Sequence, residues 1–218
     1  MINRWEILLE KGQAYLELQN YEKASAALKK ALIENPNHVP ILKLLADCYL
    51  KSDKKSEAIS TLEQIVKISP TDYDTTQQLG DLLLKEGKTD KGILVLTKAA
   101  SLKPKDKELQ YNLGLLNLRN GKEKDAEKCF QAAIRIDPTY AAAITEMARL
   151  RVNSGEIDKA IQMFQRAVEL DTDNAKLHIE LAEAYELNGQ YDDSMMEYKK
   201  AEYLNPHLSV RNWDCRDV

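Results

Sequence analysis

Apolar residues recur along the chain at the spacing of amphipathic helices that come in pairs. Between residues 107 and 140, a first apolar stripe consists of Leu109, Leu113 and Leu116. A second stripe, at positions i, i+3, i+4, i+7 and i+8, consists of Ala126, Cys129, Phe130, Ala133 and Ile134. Gly121 lies between the stripes, where glycine commonly ends a helix, and Pro138 follows the second stripe and disfavours further helix. The pattern predicts a helix, a tight turn and a second helix.

The predicted helix pair repeats with a period of 34 residues. The prolines that mark this period are Pro36, Pro70, Pro104, Pro138 and Pro206. The one vacant mark falls at Thr172, inside a segment, residues 171–174, whose residue types turn a chain and cap the next helix. A fixed period of this length indicates a repeated two-helix unit. The predicted units are residues 5–38, 39–72, 73–106, 107–140, 141–174 and 175–208.

Small and bulky residues also recur in phase with this period. In three first helices a small residue precedes a tyrosine by three positions: Gly12 and Tyr15, Ala46 and Tyr49, Ala182 and Tyr185. The second helices carry a small residue, a bulky residue and, in five of the six, an alanine before the position of the periodic proline. This pattern resembles the tetratricopeptide repeat (TPR) family over nearly the whole chain. The resemblance implies an all-α fold, a right-handed α-α superhelix (solenoid) of six helix-turn-helix units. Residues 1–208 would form this single solenoid, followed by a short C-terminal tail at 209–218.

Composition then narrows the classes of function. The net charge is −4, which does not suggest nucleic-acid binding, because that function needs a strongly basic surface. No segment approaches the ~18 consecutive apolar residues of a membrane span, so membrane insertion is not expected. The N-terminus carries no apolar leader segment, and the three cysteines lack Cys-x-x-Cys spacing, which suits a reducing compartment. We therefore expect a cytoplasmic protein.

The sequence offers little support for an enzyme. Gly87-Lys88-Thr89 resembles the end of a phosphate-binding loop, but Leu82 stands where that loop requires a glycine. The three histidines are scattered without metal-ligand spacing, and no carboxylate pair stands out as a general acid and base. We expect no catalytic residue, no metal and no cofactor.

The TPR resemblance implies that certain positions of each first helix line a concave groove. One such position is apolar in five units, and Tyr111 and Leu115 add to it in the middle of the chain. The predicted partner-binding residues are therefore Leu50, Leu84, Tyr111, Leu115 and Leu118, with the polar residues Lys43, Lys51, Lys85, Asn112, Arg119 and Arg149. Two alternatives stay open, because the position that is apolar in five units also suits packing against a neighbouring helix and the charges suit a solvated face. Packing of this kind accounts less well for Tyr111 and Leu115.

The leading hypothesis for function is a non-enzymatic adaptor that holds a peptide or helix of another protein in this groove. The carboxylate clamp by which some TPR proteins bind chaperone tails is not present, because acids replace the required cations. One alternative is a scaffold that self-associates through its tail or end units, since the last unit is acidic and the groove is partly basic. Another is a regulatory module of a larger enzyme.

Overall fold

The computed structural model describes residues 3–207, and within them every regular element is an α-helix. The helices are α1 Arg4–Glu17, α2 Tyr21–Glu34, α3 Val39–Lys51, α4 Lys55–Ile68, α5 Tyr73–Lys85, α6 Thr89–Leu102, α7 Lys107–Arg119, α8 Glu123–Ile136, α9 Ala141–Asn153, α10 Ile157–Leu170, α11 Ala175–Leu187 and α12 Tyr191–Leu204. The predicted all-α fold is confirmed. In this part of the chain no helix is long and apolar enough to cross a bilayer. The predicted tail at 209–218 lies outside the described residues.

A residue in the left-handed conformation separates the two helices of each described pair. In the last four pairs this residue is glycine, with φ from 71° to 77°: Gly87, Gly121, Gly155 and Gly189. In the first two pairs Gln19 and Asp53 adopt φ values of 54° and 55° instead. Only glycine adopts this conformation without steric cost, so the two non-glycine turns carry some strain. The tight turn predicted between the apolar stripes is thus present even where the sequence lacks its usual residue.

Polar side chains begin several of the first helices. Asp72 accepts a hydrogen bond from the Thr75 backbone N–H at 3.1 Å, and Asp106 accepts one from the Leu109 N–H at 2.9 Å. Asn174 caps α11 in the same way, which confirms that the segment lacking the periodic proline starts the next helix. Each cap satisfies a backbone donor that the helix itself leaves unpaired.

Small residues allow the two helices of a pair to approach closely. Gly114 on α7 lies against the ring of Phe130 on α8, and a Cβ atom at residue 114 would come within 2.4 Å of Phe130 Cε1. The Phe130 side chain is fully buried, so it has no solvent-filled space into which to move. The recurring small-then-bulky pattern in the sequence therefore reflects this contact.

The chain divides into two compact units, residues 1–104 and 105–218, which contain α1–α6 and α7–α12 respectively. A large core cluster spans the first pairs of the first unit, with Leu28, Leu42 and Leu62 among its fully buried members. The core of the second unit consists of neighbouring clusters around Phe130, Ile144 and Phe164. Within each unit a second helix packs on the first helix of the next pair, so no pair buries its apolar faces alone. A single solenoid over residues 1–208 stays a prediction.

Candidate partner-binding surface

The candidate binding residues lie on the first helices of the pairs. We call the set on α3 and α5 surface A; it consists of Lys43, Leu50, Lys51, Leu84 and Lys85. We call the set on α7 and α9 surface B; it consists of Tyr111, Asn112, Leu115, Leu118, Arg119 and Arg149. Surface A belongs to the first compact unit and surface B to the second.

The two leucines of surface A are half-buried and serve the fold as well as the surface. Leu50 packs against the core of the first unit. Leu84 lies over Gly92, so close that a Cβ atom at residue 92 would come within 2.8 Å of Leu84 Cδ2. A cavity of about 340 Å³ opens beside Leu50, with a wall that mixes amide, carboxylate, lysine and leucine side chains: Leu50, Asp74, Gln77, Gln78, Asp81, Leu82 and Lys85. Leu50 therefore contributes to both the core and the cavity wall.

The lysines of surface A differ in how far they are already paired. Lys43 Nζ lies 2.6 Å from Asp72 Oδ2, and Lys51 Nζ lies 3.0 Å from Asp47 Oδ2. Lys85 is exposed and forms no ion pair within residues 3–207. Burial raises the pKa of the Asp81 carboxyl in the same cavity, while the charge of Lys85 opposes this rise. Lys85 is therefore the cation of surface A with most freedom to contact a partner.

The apolar residues of surface B are packed against the second unit. The Tyr111 ring lies 5.8 Å from the Phe130 ring and 5.4 Å from the Tyr140 ring, between ring centroids. These ring separations are typical of favourable aromatic pairs. Leu115 and Leu118 are half-buried and pack against the cluster that contains Phe130. The structure thus gives Tyr111 and Leu115 a packing role that the sequence did not suggest.

Arg149 joins two first helices through an ion-pair network. Its guanidinium hydrogen-bonds both carboxylate oxygens of Glu180 on α11, at 2.8 and 2.5 Å, and contacts Glu146 on its own helix at 2.5 Å. The hydrogen bonds with Glu180 raise the pKa of Arg149 above its ordinary value, and burial raises the pKa of Glu146. A two-pronged pair of this kind fixes geometry as well as charge. Arg149 therefore fastens α9 to α11.

The accessible part of surface B consists of Asn112 and Arg119, which are exposed and form no ion pair or side-chain hydrogen bond within residues 3–207. A second cavity, of about 360 Å³, opens near the carboxyl ends of α9 and α11. Its lining combines acids with apolar residues: Arg149, Val152, Asn153, Phe164, Glu180, Glu183, Ala184 and Leu187. Asn153 and Leu187 were not among the predicted binding residues. They occupy the same repeat position as Lys85 and Arg119, and this shared position could have identified them.

The remaining candidate chemistry is explained by the fold. Gly87 and Lys88 form the turn that starts α6, and His178 Nδ1 lies 2.6 Å from Glu197 Oε2 in the interior. Burial raises the pKa of Cys48 to about 11, so its thiol stays protonated and unreactive at neutral pH. Among residues 3–207, no three His, Cys, Asp or Glu side chains gather as a metal-binding group.

Comparison with protein families assigns this arrangement of helix pairs. The family model that matches is described as the cilia and flagella-associated protein 70 C-terminal domain, and it covers residues 2–212. The chain belongs to this family. These TPR helix pairs therefore belong to the family of the cilia and flagella-associated protein 70 C-terminal domain. The resemblance to TPR proteins is confirmed. No curated protein sequence matches the chain.

Solved structures support the same fold for this member of the cilia and flagella-associated protein 70 domain family. MamA is 24% identical, with a TM-score of 0.64 over 77% of this chain and 92% of that one. YrrB, described as a TPR protein with an unusual peptide-binding site, is 17% identical, with a TM-score of 0.64 over 85% and 95%. The pilF protein of Pseudomonas aeruginosa is 20% identical, with a TM-score of 0.54 over 93% and 92%. At these identities the likeness shows the TPR fold alone.

Proposed function

We propose that this chain is a non-enzymatic adaptor that binds another protein, as an extended peptide or a helix, on surfaces A and B. The observation that carries the proposal is that each compact unit has a cavity beside its first helices. Each cavity combines apolar side chains with charged and amide groups. Such a combination suits a segment whose apolar side chains enter the cavity while its polar groups meet the surrounding charges.

The residues of the two surfaces would divide this work. Lys85, Asn112 and Arg119 are exposed and would contact the partner directly. Lys43, Lys51 and Arg149 are already paired with carboxylates of this chain, so a partner would have to displace those carboxylates to bind them. We assign these three mainly to shaping the surface. Leu50, Leu84, Tyr111, Leu115 and Leu118 would offer their exposed edges as apolar contacts.

The nature of the partner follows from charge and from relatives. A net charge of −4 favours a protein over a nucleic acid. The description of YrrB mentions a peptide-binding site, which supports peptide binding by the same fold here. The family name refers to cilia and flagella, and the cysteine content suits a reducing compartment. We therefore propose that the adaptor works in the cytoplasm.

Site-specific photo-crosslinking tests the proposal. A crosslinking amino acid placed at Lys85 or Asn112 in the full chain should yield discrete protein adducts in extracts of the cells that produce it. The same amino acid at Lys98 or Lys124, which are exposed on second helices, serves as the matched control and should not yield those adducts.

Charge reversal at the same surfaces provides the second arm. With the crosslinking amino acid at Asn112, Lys85→Glu and Arg119→Glu should abolish the adducts without changing the thermal unfolding temperature, because both side chains are exposed. Adducts that form equally from the second-helix positions, or that survive both reversals, would show that surfaces A and B are not the binding surfaces.

A further inference from the structure

The two ends of the helix series expose apolar residues at repeat positions that are buried elsewhere. Ile7 on α1 is 54% exposed, whereas the residues at its repeat position that pack within a unit are at most 5% exposed: Ile41, Thr75, Ala143 and Leu177. On α12, Met195 is 45% exposed, whereas the isoleucines at its repeat position, Ile59, Ile93 and Ile161, are each 6% exposed, and the polar Ser25 and Glu127 there are half-buried. Inside the units these positions are covered by the neighbouring pair.

Each end therefore presents a face that is suited to packing against another helix. The N-terminal end face consists of Ile7, Lys11 and Ala14 on α1 and of Leu18, which directly follows this helix. The C-terminal end face consists of Tyr191, Met195 and Glu202 on α12. We propose that these two faces bind each other between copies of this chain, so that α1 of one copy packs on α12 of the next. This proposal concerns the ends of the chain and does not depend on surfaces A and B.

Charge complementarity is the first argument for a second copy as the occupant. Lys11 stands at the repeat position of the buried Leu45, Leu79, Met147 and Leu181. Glu202 stands at the repeat position of Leu32, Val66, Ile134 and Val168. Both Lys11 and Glu202 are exposed, and neither forms an ion pair within residues 3–207.

At junctions inside the second unit, residues at these two positions belong to the same packed clusters. Val168 packs against the cluster that contains Leu181, and Ile134 packs against the cluster that contains Met147. If α1 of one copy takes the place that a following first helix would have on α12, Lys11 therefore lies beside Glu202. The only two charges that replace apolar residues at these positions are thus of opposite sign and would face each other.

A second pair of residues is complementary in the same register. Lys55 Nζ and Glu86 Oε1 lie 3.0 Å apart across the junction of α4 and α5. The corresponding residues at the ends are Tyr191 and Leu18, which are 62% and 76% exposed. An ion pair inside the chain is thus replaced at the ends by two apolar side chains. Burying them against each other would remove apolar surface from water.

The geometry of this contact determines the kind of assembly. Because the two faces differ, a pair of bound copies still has one free face of each kind and can add further copies. One helix packing on another buries less than the ~1,200 Å² of a standard stable interface, so we expect association at about 0.1–1 mM protein. The species should be a concentration-dependent series rather than a closed dimer.

A charge swap tests the proposal on the full chain. Sedimentation analysis should show association of the wild type as concentration rises. Lys11→Glu alone or Glu202→Lys alone places like charges together and should weaken association about tenfold or more. The variant that carries both substitutions restores opposite charges at each junction and should associate as the wild type does. Recovery in the double variant is not expected if the two charges merely keep the ends soluble.

An apolar pair of variants provides the matched control. Leu18→Asp should abolish association, whereas Leu94→Asp on α6 should leave it unchanged, although Leu94 is 72% exposed. Circular dichroism would confirm that each variant is folded. The proposal is overturned if the wild type stays monomeric up to about 1 mM, or if the double variant associates as weakly as the single ones. Association that appears only after removal of residues 209–218 would assign the C-terminal end face to the chain's own tail and would also overturn it.

Discussion

At the scale of single residues, the contact between Gly114 and Phe130 shows how closely the paired helices pack. The glycine has no side chain, and the ring of the fully buried phenylalanine fills the place of a Cβ atom. The pair Ala148 and Phe164 occupies the same repeat positions in the next pair, so an alanine is compatible with this fold when the local spacing allows it. Whether a pair tolerates alanine at this repeat position therefore depends on how closely its own two helices pack.

We expect Gly114→Ala to lower the free energy of unfolding by about 1–3 kcal/mol, since the Phe130 ring must shift within a filled core. Urea unfolding followed by circular dichroism measures the change. Phe130→Leu in the same chain makes room for the new methyl group, so the double variant should lose less stability than the two single changes added together. Strict additivity would contradict the packing explanation.

Asp137 has a carboxyl whose pKa is lowered by its hydrogen-bond partners. The Lys107 ammonium, 2.5 Å away, and then the Thr139 hydroxyl and backbone N–H hold the pKa of Asp137 at about 2, below its ordinary value of 3.8. A carboxyl whose pKa is lower in the folded chain stabilises the fold when it is ionised. That stabilisation is present above about pH 4 and is lost as the pH falls toward 2.

We therefore expect Asp137→Asn to be less stable than the wild type at pH 5, and the difference to shrink steadily between pH 4 and pH 2. Chemical unfolding of the wild type and of Asp137→Asn, which has no carboxyl at residue 137, measures this difference in stability at a series of pH values. Asp173→Asn, at an exposed site for which no ion pair is formed within residues 3–207, is the control and should show a smaller pH dependence. A constant difference from pH 5 to pH 2 would contradict the assigned pairing.

At the scale of helices, the start of α5 shows one side chain performing two tasks. Asp72 accepts a hydrogen bond from the Thr75 N–H, which caps α5, and also pairs with Lys43 of α3. The first bond stabilises a helix end, and the second connects two successive first helices. The Lys43 side chain is about half exposed, so water weakens the ion pair and the cap is the stronger contribution.

Two substitutions separate these tasks. Asp72→Ala removes both and should cost about 1–2 kcal/mol of unfolding free energy. Asp72→Asn keeps an oxygen that can cap the helix but loses the ion pair and the hydrogen bond that the Thr75 hydroxyl donates to Oδ2, so it should cost about 1 kcal/mol or less. Urea unfolding distinguishes them. Equal losses for the two variants would mean that the ion pair, and not the cap, provides the stability.

The sequence predicted the helices, the turns and the small-residue contacts because their residues recur with a period of 34, and repetition reveals a pattern that one copy would hide. Gly114 and Phe130 are an example, since the small and bulky positions recur in every unit. The bond from Arg149 to Glu180 was not predicted, because it depends on the conformations of two long side chains that follow no repeat. Packing of Tyr111 against Tyr140 was missed because Tyr140 lies in the connection before α9.

At the scale of the whole molecule, each compact unit is a series of pairs in which stability comes from neighbours. Within each unit most helices pack against both the preceding and the following helix, whereas no described helix precedes α1 or follows α12. Local opening requires breaking fewer contacts at such ends than in the interior. The ends of the chain should therefore open first.

Hydrogen exchange measured by mass spectrometry at low concentration should show faster exchange in α1 and α12 than in α3 and α10. The reason is that the end helices lose fewer packing contacts when they open. Raising the protein concentration to the range of end-to-end association should slow exchange in α1 and α12 while leaving α4 unchanged. Equal protection of all helices at low concentration would contradict the expected order.

The first helices α3, α5, α7, α9 and α11 begin at residues 39, 73, 107, 141 and 175, with no insertion in any pair. Such regularity means that the chain can change length only in whole steps. Loss of residues 141–174 would join two compatible pairs and bring residue 175 to the position of residue 141, whereas loss of one residue would put every later contact out of phase. Genetic gain or loss of a complete repeat would thus change the reach of the molecule without requiring new packing.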